Sequence, residues 1–297
     1  LFIVTEIYYR SNLNSNISNI LLSLFLILFL SKFSRIAEYG SDIAGQIIVC
    51  IYLFYIFEII YNENLTNDIK NNILKLSLLL LVFAITTKFI LLIYSSFFLL
   101  TLFLVKKKSE MIKKFLELKY FTFLLLPSFF FLLSNFSSTG CAIYPIEITC
   151  FYDEFNWALS SDIINYLNLH YEIWSKGGKG PGFEVDNQEL YVTSLNWVNN
   201  WVSVYFFTKV TDYILVILTI ILIFTLFFKK EIFDKKKINK KTIFKNSLLI
   251  YLTIICIFII WFFNFLSLRY AGYIVFFMLI IFPLIYIFQY KIDLTSR

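Results

Sequence analysis

Histidine is almost absent from this sequence, because His170 is the single histidine among 297 residues. A metal site built from several imidazoles is thereby excluded, and we interpret His170 as an ordinary surface residue. A nucleotide-binding phosphate loop is lacking as well. The glycines of the stretch SKGGKGPG, residues 175–182, are not followed by the Gly-Lys-Ser/Thr pattern that such a loop requires. We interpret this stretch as a flexible turn.

Charge is also scarce, since only 15% of the residues are charged, whereas 59% are hydrophobic and the mean hydropathy is +0.76. These values lie outside the range of soluble globular proteins and indicate an integral membrane protein. The strict polar–apolar alternation of a barrel strand is missing, so the spans are expected to be helices. No signal-peptide pattern opens the chain. Because Leu1 is not a methionine, we expect a fragment of a longer chain.

Long apolar runs supply the predicted membrane spans, because about 20 residues are needed to cross a hydrocarbon core. The sequence predicts an all-α, polytopic membrane helical bundle of about seven or eight spans with a small external cap between spans. The runs are Ile20–Leu30, Ile43–Tyr61, Ile73–Val105, Tyr120–Ser134, Val210–Phe228, Ser247–Phe265 and Ala271–Tyr290.

Two lysine-rich segments predict the orientation of the bundle. Lys106–Lys119 has six lysines against two acidic residues, and Lys229–Lys245 has eight against two. The positive-inside rule places both in the cytoplasm and the segment between them outside. Three regions follow: N-terminal membrane helices over 1–134, an external cap over 135–209, and a C-terminal three-helix membrane part over 210–297.

The predicted cap contains Cys141 and Cys150, which would pair in an oxidising compartment. Two unpaired thiols in a buried turn are the alternative. Within the cap, Asn156 or Ser160 is expected to cap a short helix through Leu167. Four of the five tryptophans also fall in this region, and they fit either an interfacial aromatic belt or a platform for stacking sugar rings. They are Trp157, Trp174, Trp197 and Trp201.

The run Ile73–Val105 is too long for one ordinary span, and Lys88 interrupts it. If the run splits into two helices at Lys88, that break and the loop holding Arg35 lie on the external side. The turn holding Arg269 is external with or without the split. The charged groups at these places would then converge under the cap. An unsplit, tilted helix would instead put the Arg35 loop inside.

An external pocket of this composition fits transfer of a sugar from a lipid carrier. Arginine and lysine would bind the phosphate, and a carboxylate would remove the proton of the acceptor hydroxyl. The alternative is that these residues are salt-bridged anchors or snorkel to headgroups. The candidate phosphate-binding residues are Arg35, Lys88 and Arg269, and the candidate catalytic carboxylates are Glu38, Asp42 and Asp153.

Three stretches carry a family resemblance: STGCAIYPIEITCF followed by FNW, RIAEYGSDIAGQ, and FNFLSLRYAGYIV. They resemble poorly characterised multi-pass bacterial envelope proteins associated with surface polysaccharide, broadly similar to GT-C-type glycosyltransferases and O-antigen polymerases. The resemblance implies a protein of the bacterial inner membrane with a periplasmic site for polyprenyl-linked sugars. The acidic motif that GT-C enzymes carry in their first external loop is not matched, which leaves Glu38 and Asp42 as candidates for the base.

Two further functions remain as alternatives, a transporter or flippase of lipid-linked glycan and a non-catalytic assembly partner. Many enzymes of the resembled class use a divalent metal, but no ligand cluster is specific enough to name, so the cofactor is left open. The expected partners are membrane lipid and a polyprenyl-linked sugar, with no nucleic acid. The sequence leaves the oligomeric state undetermined.

Overall fold

The computed structural model describes residues 24–25, 41–62, 65–104, 118–152, 154–180, 182–227, 240–264 and 266–283. Most of these residues are helical. The helices and strands are α1 Ser41–Tyr61, α2 Asn67–Thr87, α3 Ser95–Leu104, α4 Leu118–Thr139, α5 Ser161–Ser175, β1 Lys179–Gly180, β2 Phe183–Glu184, α6 Gln188–Thr193, α7 Trp197–Trp201, α8 Thr211–Phe227, α9 Lys240–Asn264 and α10 Leu268–Pro283.

Five helices in the described part of the chain are long and apolar enough to cross a membrane. Two shorter apolar helices, Phe89–Leu104 and Leu268–Pro283, accompany them. The prediction of a helical fold of membrane-protein character is confirmed at this level. The predicted run Ile20–Leu30 lies outside the described residues except for residues 24 and 25. The five long segments are Asp42–Tyr61, Asn67–Thr87, Thr122–Thr139, Trp197–Leu222 and Lys245–Asn264.

Helix α1 is the central helix of the bundle. It is apolar around its whole circumference, which is the pattern of a helix covered on all sides by protein. All residues from Val49 to Phe57 except Ile51 are buried. Phe57 packs against Phe97 of α3 and Phe282 of α10, with ring centroids 6.0 and 5.9 Å away.

The predicted break of the long run at Lys88 is confirmed. Helix α2 ends at Thr87, and Lys88 has the extended conformation φ −156°, ψ 113°. A 3₁₀ turn, Phe89–Tyr94, then leads into α3. The hydroxyls of Thr86 and Thr87 donate back to the carbonyls of Phe83 and Ala84, and such bonds compete with helix continuation.

The segment between α4 and α7 is ordered by short-range contacts. The predicted disulfide between Cys141 and Cys150 is present, with the two sulfurs 2.10 Å apart. The hydroxyl of Ser160 accepts a hydrogen bond from the amide of Ile163, so Ser160 is the N-cap of α5. Helix α5 extends to Ser175, beyond the predicted end at Leu167.

The glycine-rich stretch that follows α5 forms a β-hairpin. Lys179 pairs with Glu184 and Gly180 with Phe183 in antiparallel register. Gly182 has φ +76°, a conformation that glycine adopts without a steric penalty. The turn was predicted, but it is a paired and salt-bridged hairpin rather than a flexible connection.

Helix α7 continues without interruption through a π-helical stretch, Val202–Val210, into α8. Trp197 and Trp201 on this run are buried, with 1% and 4% of their surface exposed, and both contact Phe262 of α9. The interpretation of these two tryptophans as an interfacial belt or a sugar platform is therefore wrong. Their rings fill the protein interior.

The bundle has two distinct ends, which we call the Asp42 end and the Tyr61 end after the termini of α1. The hydroxyls of Tyr61 and Ser247 lie 2.9 Å apart, which places the beginning of α9 at the Tyr61 end. In the sequence, one lysine-rich segment follows α3, which runs towards this end, and the other lies between α8 and α9. The segment with the disulfide follows α4 at the opposite end.

Candidate functional site

Three charged side chains from distant parts of the sequence meet at the Asp42 end. The ammonium of Lys88 lies 2.7 Å from Oδ1 of Asp42, and Nε of Arg269 lies 3.8 Å from Oδ2 of the same carboxylate. Asp42 belongs to the first turn of α1, Lys88 is the C-cap residue that follows α2, and Arg269 is the second residue of α10. We call these three residues the ion cluster.

Exposure differs sharply within the ion cluster. The side chain of Asp42 is 8% exposed, whereas those of Lys88 and Arg269 are 35% and 33% exposed. Two cations share one carboxylate, so the cluster carries one excess positive charge on its accessible side. Such an arrangement attracts an anion, and arginine with lysine is the pair of side chains that proteins use for phosphate.

Aromatic rings surround the guanidinium of Arg269. The guanidinium carbon lies 4.4 Å from the ring centre of Trp174 and 5.0 Å from that of Tyr270, and Nη2 donates to the hydroxyl of Tyr270. The ammonium of Lys88 lies 4.5 Å from the centre of the same tyrosine ring. These cation–π contacts orient both cations. Nε of Arg269 is buried and, among the residues that the structure describes, it has the ion pair with Asp42 but no hydrogen-bond partner.

The backbone at Arg269 is held by buried polar side chains. Nε2 of Gln46 donates to the carbonyl of Arg269 at 2.8 Å, and the hydroxyl of Tyr94 donates to the carbonyl of Ala271 at 2.9 Å. Ala271 has φ +71°, which is uncommon for a residue with a side chain. The indole of Trp261 donates to the carbonyl of Ser267 at 3.2 Å. Arg269 therefore projects from a fixed, strained turn.

The disulfide-containing loop is linked to the ion cluster through α5. A side-chain oxygen of Glu147, inside the loop, accepts from Ser161 and Asn165 at the beginning of α5. Trp174, near the end of α5, carries the ring that covers Arg269, and the hydroxyl of Tyr205 donates to its backbone carbonyl. The loop therefore contacts the beginning of α5, and the end of α5 contacts the ion cluster.

Of the six candidate site residues, the structure brings together Asp42, Lys88 and Arg269. Arg35, Glu38 and Asp153 lie outside the described residues. Among the residues that the structure describes, no three histidine, cysteine, aspartate or glutamate side chains are grouped as a metal site would require. Glu154, beside Asp153, is exposed in the segment that follows the disulfide.

Sequence reasoning missed the supporting residues. Gln46 lies one helical turn after Asp42, and this i, i+4 spacing puts both on the face of α1 that meets α10. Tyr270 directly follows Arg269. The spacing of Gln46 was a usable signal, whereas the contact between Trp174 and Arg269 left no trace in the local sequence.

Buried charge also occurs away from the ion cluster. Lys176, with 4% of its surface exposed, pairs with Glu172 at 2.6 Å and donates to the carbonyl of Val192. Its ammonium lies 5.3 Å from the ring centre of Trp197. Because its charge is paired inside the segment, Lys176 stabilises the packing of α5 on α6 and α7. It is not one of the partly exposed cations of the cluster.

A protein-family model matches most of the chain. A family described as a domain of unknown function, DUF8201, matches residues 1–278 of this chain. The chain belongs to that family. No curated protein and no solved structure matches the sequence. That description assigns no activity to the family.

Proposed function

We propose that this protein binds a polyprenyl-linked sugar phosphate at the external face of the bacterial inner membrane and transfers its sugar to a glycan acceptor during envelope polysaccharide synthesis. The observation that carries the proposal is the ion cluster, where two partly exposed cations flank a buried carboxylate. Lys88 and Arg269 bind the phosphate, and Asp42 is the base.

The proposed topology rests on the positions of the lysine-rich segments. The two shorter apolar helices cross the membrane together with the five long ones, and successive crossings alternate in direction. Both lysine-rich segments are then cytoplasmic. The Asp42 end and the disulfide segment face the periplasm, where thiols are oxidised. A lipid-linked phosphate reaches the ion cluster at headgroup depth.

In the proposed reaction, the two cations of the ion cluster exchange the carboxylate of Asp42 for the phosphate of the donor. When the phosphate enters, the ammonium of Lys88 and the guanidinium of Arg269 turn towards its oxygens, and the carboxylate of Asp42 becomes available. The acceptor hydroxyl loses its proton to Asp42, and its oxygen bonds to the anomeric carbon of the sugar. The bond from that carbon to the phosphate oxygen breaks, and its electron pair leaves with the lipid phosphate, which both cations stabilise.

Binding and transfer are separable in an experiment on the full chain. Native mass spectrometry in detergent with a polyprenyl phosphate as probe should show at least about tenfold weaker binding for Lys88→Gln and Arg269→Gln, since each removes one charge-assisted contact. Lys209→Gln is the matched control, because Lys209 is an exposed lysine stacked on a tyrosine outside the ion cluster. Unchanged binding by both cluster variants would refute the proposal.

Asp42→Asn distinguishes the base from the phosphate site. This variant should retain binding of the polyprenyl phosphate while the surface glycan of complemented cells is lost. If Asp42→Asn folds normally and supports wild-type glycan levels, Asp42 is not the base, and the charge pair is an anchor of the kind expected for a non-catalytic assembly partner.

A flippase of lipid-linked glycan is the second candidate, and two backbone irregularities favour it. The chain breaks at Lys88 and again at Ala271, and broken helices are typical of transporters. Both breaks lie at the end of the bundle rather than at mid-span, which is why we prefer transfer. The test in proteoliposomes follows the relocation of a fluorescent polyprenyl-linked sugar across the bilayer. If Lys88→Gln loses this relocation but retains sugar transfer, the flippase is favoured.

A further inference from the structure

A groove on the opposite half of the bundle is separate from the ion cluster. It has a volume of about 390 Å³ and lies between α2 and α4. Binding pockets for small molecules begin at about 300 Å³, so the groove is large enough to hold part of a ligand. Most of its lining is apolar, and its lining residues are Asn72, Lys75, Leu76, Leu79, Tyr120, Phe123 and Leu124.

The groove is open because α4 is weakly packed. None of the residues in the span Thr122–Thr139 is buried inside the protein. Phe123 is 58% exposed and Leu76 is 41% exposed, so the apolar side chains on both sides of the groove face outward. An acyl chain lying in the groove would cover these side chains without displacing any helix.

One end of the groove is cationic. The ammonium of Lys75 lies 3.3 Å from the ring centre of Tyr120, which fixes it at the rim. Tyr120 stands two residues before the span Thr122–Thr139, so the ammonium of Lys75 beside it lies near headgroup depth. In the sequence, the lysine-rich segment 106–119 leads directly into α4.

We propose that this groove is a binding site for an anionic phospholipid, with its acyl chain between α2 and α4 and its phosphate at the ammonium of Lys75. Charge complementarity selects the occupant, because basic pockets between membrane helices bind acidic headgroups. The site does not depend on the proposed function, since it lies at the Tyr61 half of the bundle and shares no residue with the ion cluster.

Native mass spectrometry of the full chain in detergent tests the site, with phosphatidylglycerol and phosphatidylcholine as the two probes. We expect wild-type protein to bind phosphatidylglycerol more tightly, and Lys75→Gln to lose about fivefold in that affinity, the effect of one lysine at a membrane surface. Lys209→Gln is the control, because Lys209 also stacks on a tyrosine ring, 4.9 Å from the centre of Tyr205, but outside the groove.

A second variant tests the acyl part of the site. Leu79→Trp fills the groove without changing its charge, and it should weaken binding of both lipids. The proposal is overturned if wild-type protein binds the two lipids equally, or if Lys75→Gln and Lys209→Gln reduce binding to the same extent, which would indicate a general charge effect. Circular dichroism checks that each variant is folded. If Leu79→Trp fails to fold, the comparison of the two lysine variants decides.

Discussion

The carboxylate of Asp42 and the ammonium of Lys88 form an ion pair of 2.7 Å between the first turn of α1 and the C-cap residue of α2. The pair lies at the break in the long apolar run Ile73–Val105, because α2 ends at Thr87. The same carboxylate is the proposed base, so Asp42 has both a structural and a catalytic role. Stability and activity should therefore respond differently to changes at these two positions.

Asp42→Asn should destabilise the protein by about 1–3 kcal/mol, because it leaves two neighbouring cations without their carboxylate. The loss is smaller than that for a fully buried pair, since the side chains of Lys88 and Arg269 are each about one third exposed. Thermal unfolding in detergent measures the effect. In a double-mutant cycle, Lys88→Met should cost much less in the Asp42→Asn background than in wild type. Additive effects would show that the pair is not coupled.

Gly45 allows α1 to approach the end of α2 closely enough for that ion pair. A Cβ atom at this position would lie 2.7 Å from Cδ1 of Leu91 and would overlap Oγ1 of Thr87. Gly45→Ala should therefore destabilise the protein by about 1–3 kcal/mol by overpacking. Gly180→Ala is the control, because a Cβ atom there would have no neighbour within 4 Å. Equal melting temperatures for the two variants would contradict the close approach.

Features that depend on neighbours in the sequence were predictable. Lys88 interrupts an apolar run that is too long for one span, Ser160 precedes a helical stretch, and Cys141 and Cys150 share one short loop. The convergence of Asp42, Lys88 and Arg269 followed from counting spans, because parity decides which turns share a side of the membrane. None of these inferences required knowledge of how the helices pack.

Features that depend on packing were not predictable. Trp197 and Trp201 stand among polar residues, which is typical of an interfacial position, but they pack against Phe262 from a helix much later in the chain. Trp174 was one of four equivalent tryptophans until the fold placed it on Arg269. Composition cannot distinguish an aromatic ring that faces lipid from one that covers a neighbouring helix.

The disulfide should stabilise the segment that leads into α5. Its cysteines are nine positions apart, and closing a loop of this size in the unfolded chain is worth about 2–3 kcal/mol. In oxidising buffer, Cys141→Ser should lower the melting temperature. Reductant should lower the melting temperature of wild type but not that of Cys141→Ser. Cys256→Ser is the control, since Cys256 is a free cysteine. If reductant destabilises Cys141→Ser as much as wild type, the disulfide is not the source of the effect.

The stability of the hairpin β1–β2 should decrease at both low and high pH. The hydrogen bond from Lys179 lowers the pKa of Glu184, and the same bond raises the pKa of Lys179. The carboxylate therefore contributes stability above its ordinary pKa, and this contribution is lost as the pH falls through the lowered value. The ammonium contributes below the ordinary lysine pKa, and its contribution is lost as the pH rises through the raised value.

Amide exchange, corrected for its intrinsic pH dependence, measures this effect at Val185, whose amide donates to the carbonyl of Gly178 beside the hairpin. Protection in wild type should be greatest between the two pKa values and fall on either side. Glu184→Gln should abolish the loss of protection at low pH and at high pH, because it removes the carboxylate whose bond with Lys179 shifts both pKa values. A variant with the wild-type profile would show that the ion pair does not hold the hairpin.

The orientation of the bundle can be measured with two single cysteines in a background without the four native ones. Glu154→Cys places a thiol in the disulfide segment, and Asn67→Cys places one at the beginning of α2, near the Tyr61 end. Both native residues are exposed, so neither thiol is hidden by the fold. In intact spheroplasts, a membrane-impermeant maleimide should label Glu154→Cys and leave Asn67→Cys unlabelled until the membrane is permeabilised.

The reverse pattern would place the lysine-rich segments outside and the ion cluster in the cytoplasm, against the positive-inside rule. The cluster would then face soluble sugar nucleotides instead of an external lipid-linked donor, and the proposed transfer reaction would lose its substrate. Labelling of both thiols without permeabilisation would mean that residues 67 and 154 lie on one side of the membrane. In that case the three apolar helices between them, Asn67–Thr87, Phe89–Leu104 and Thr122–Thr139, do not all cross it.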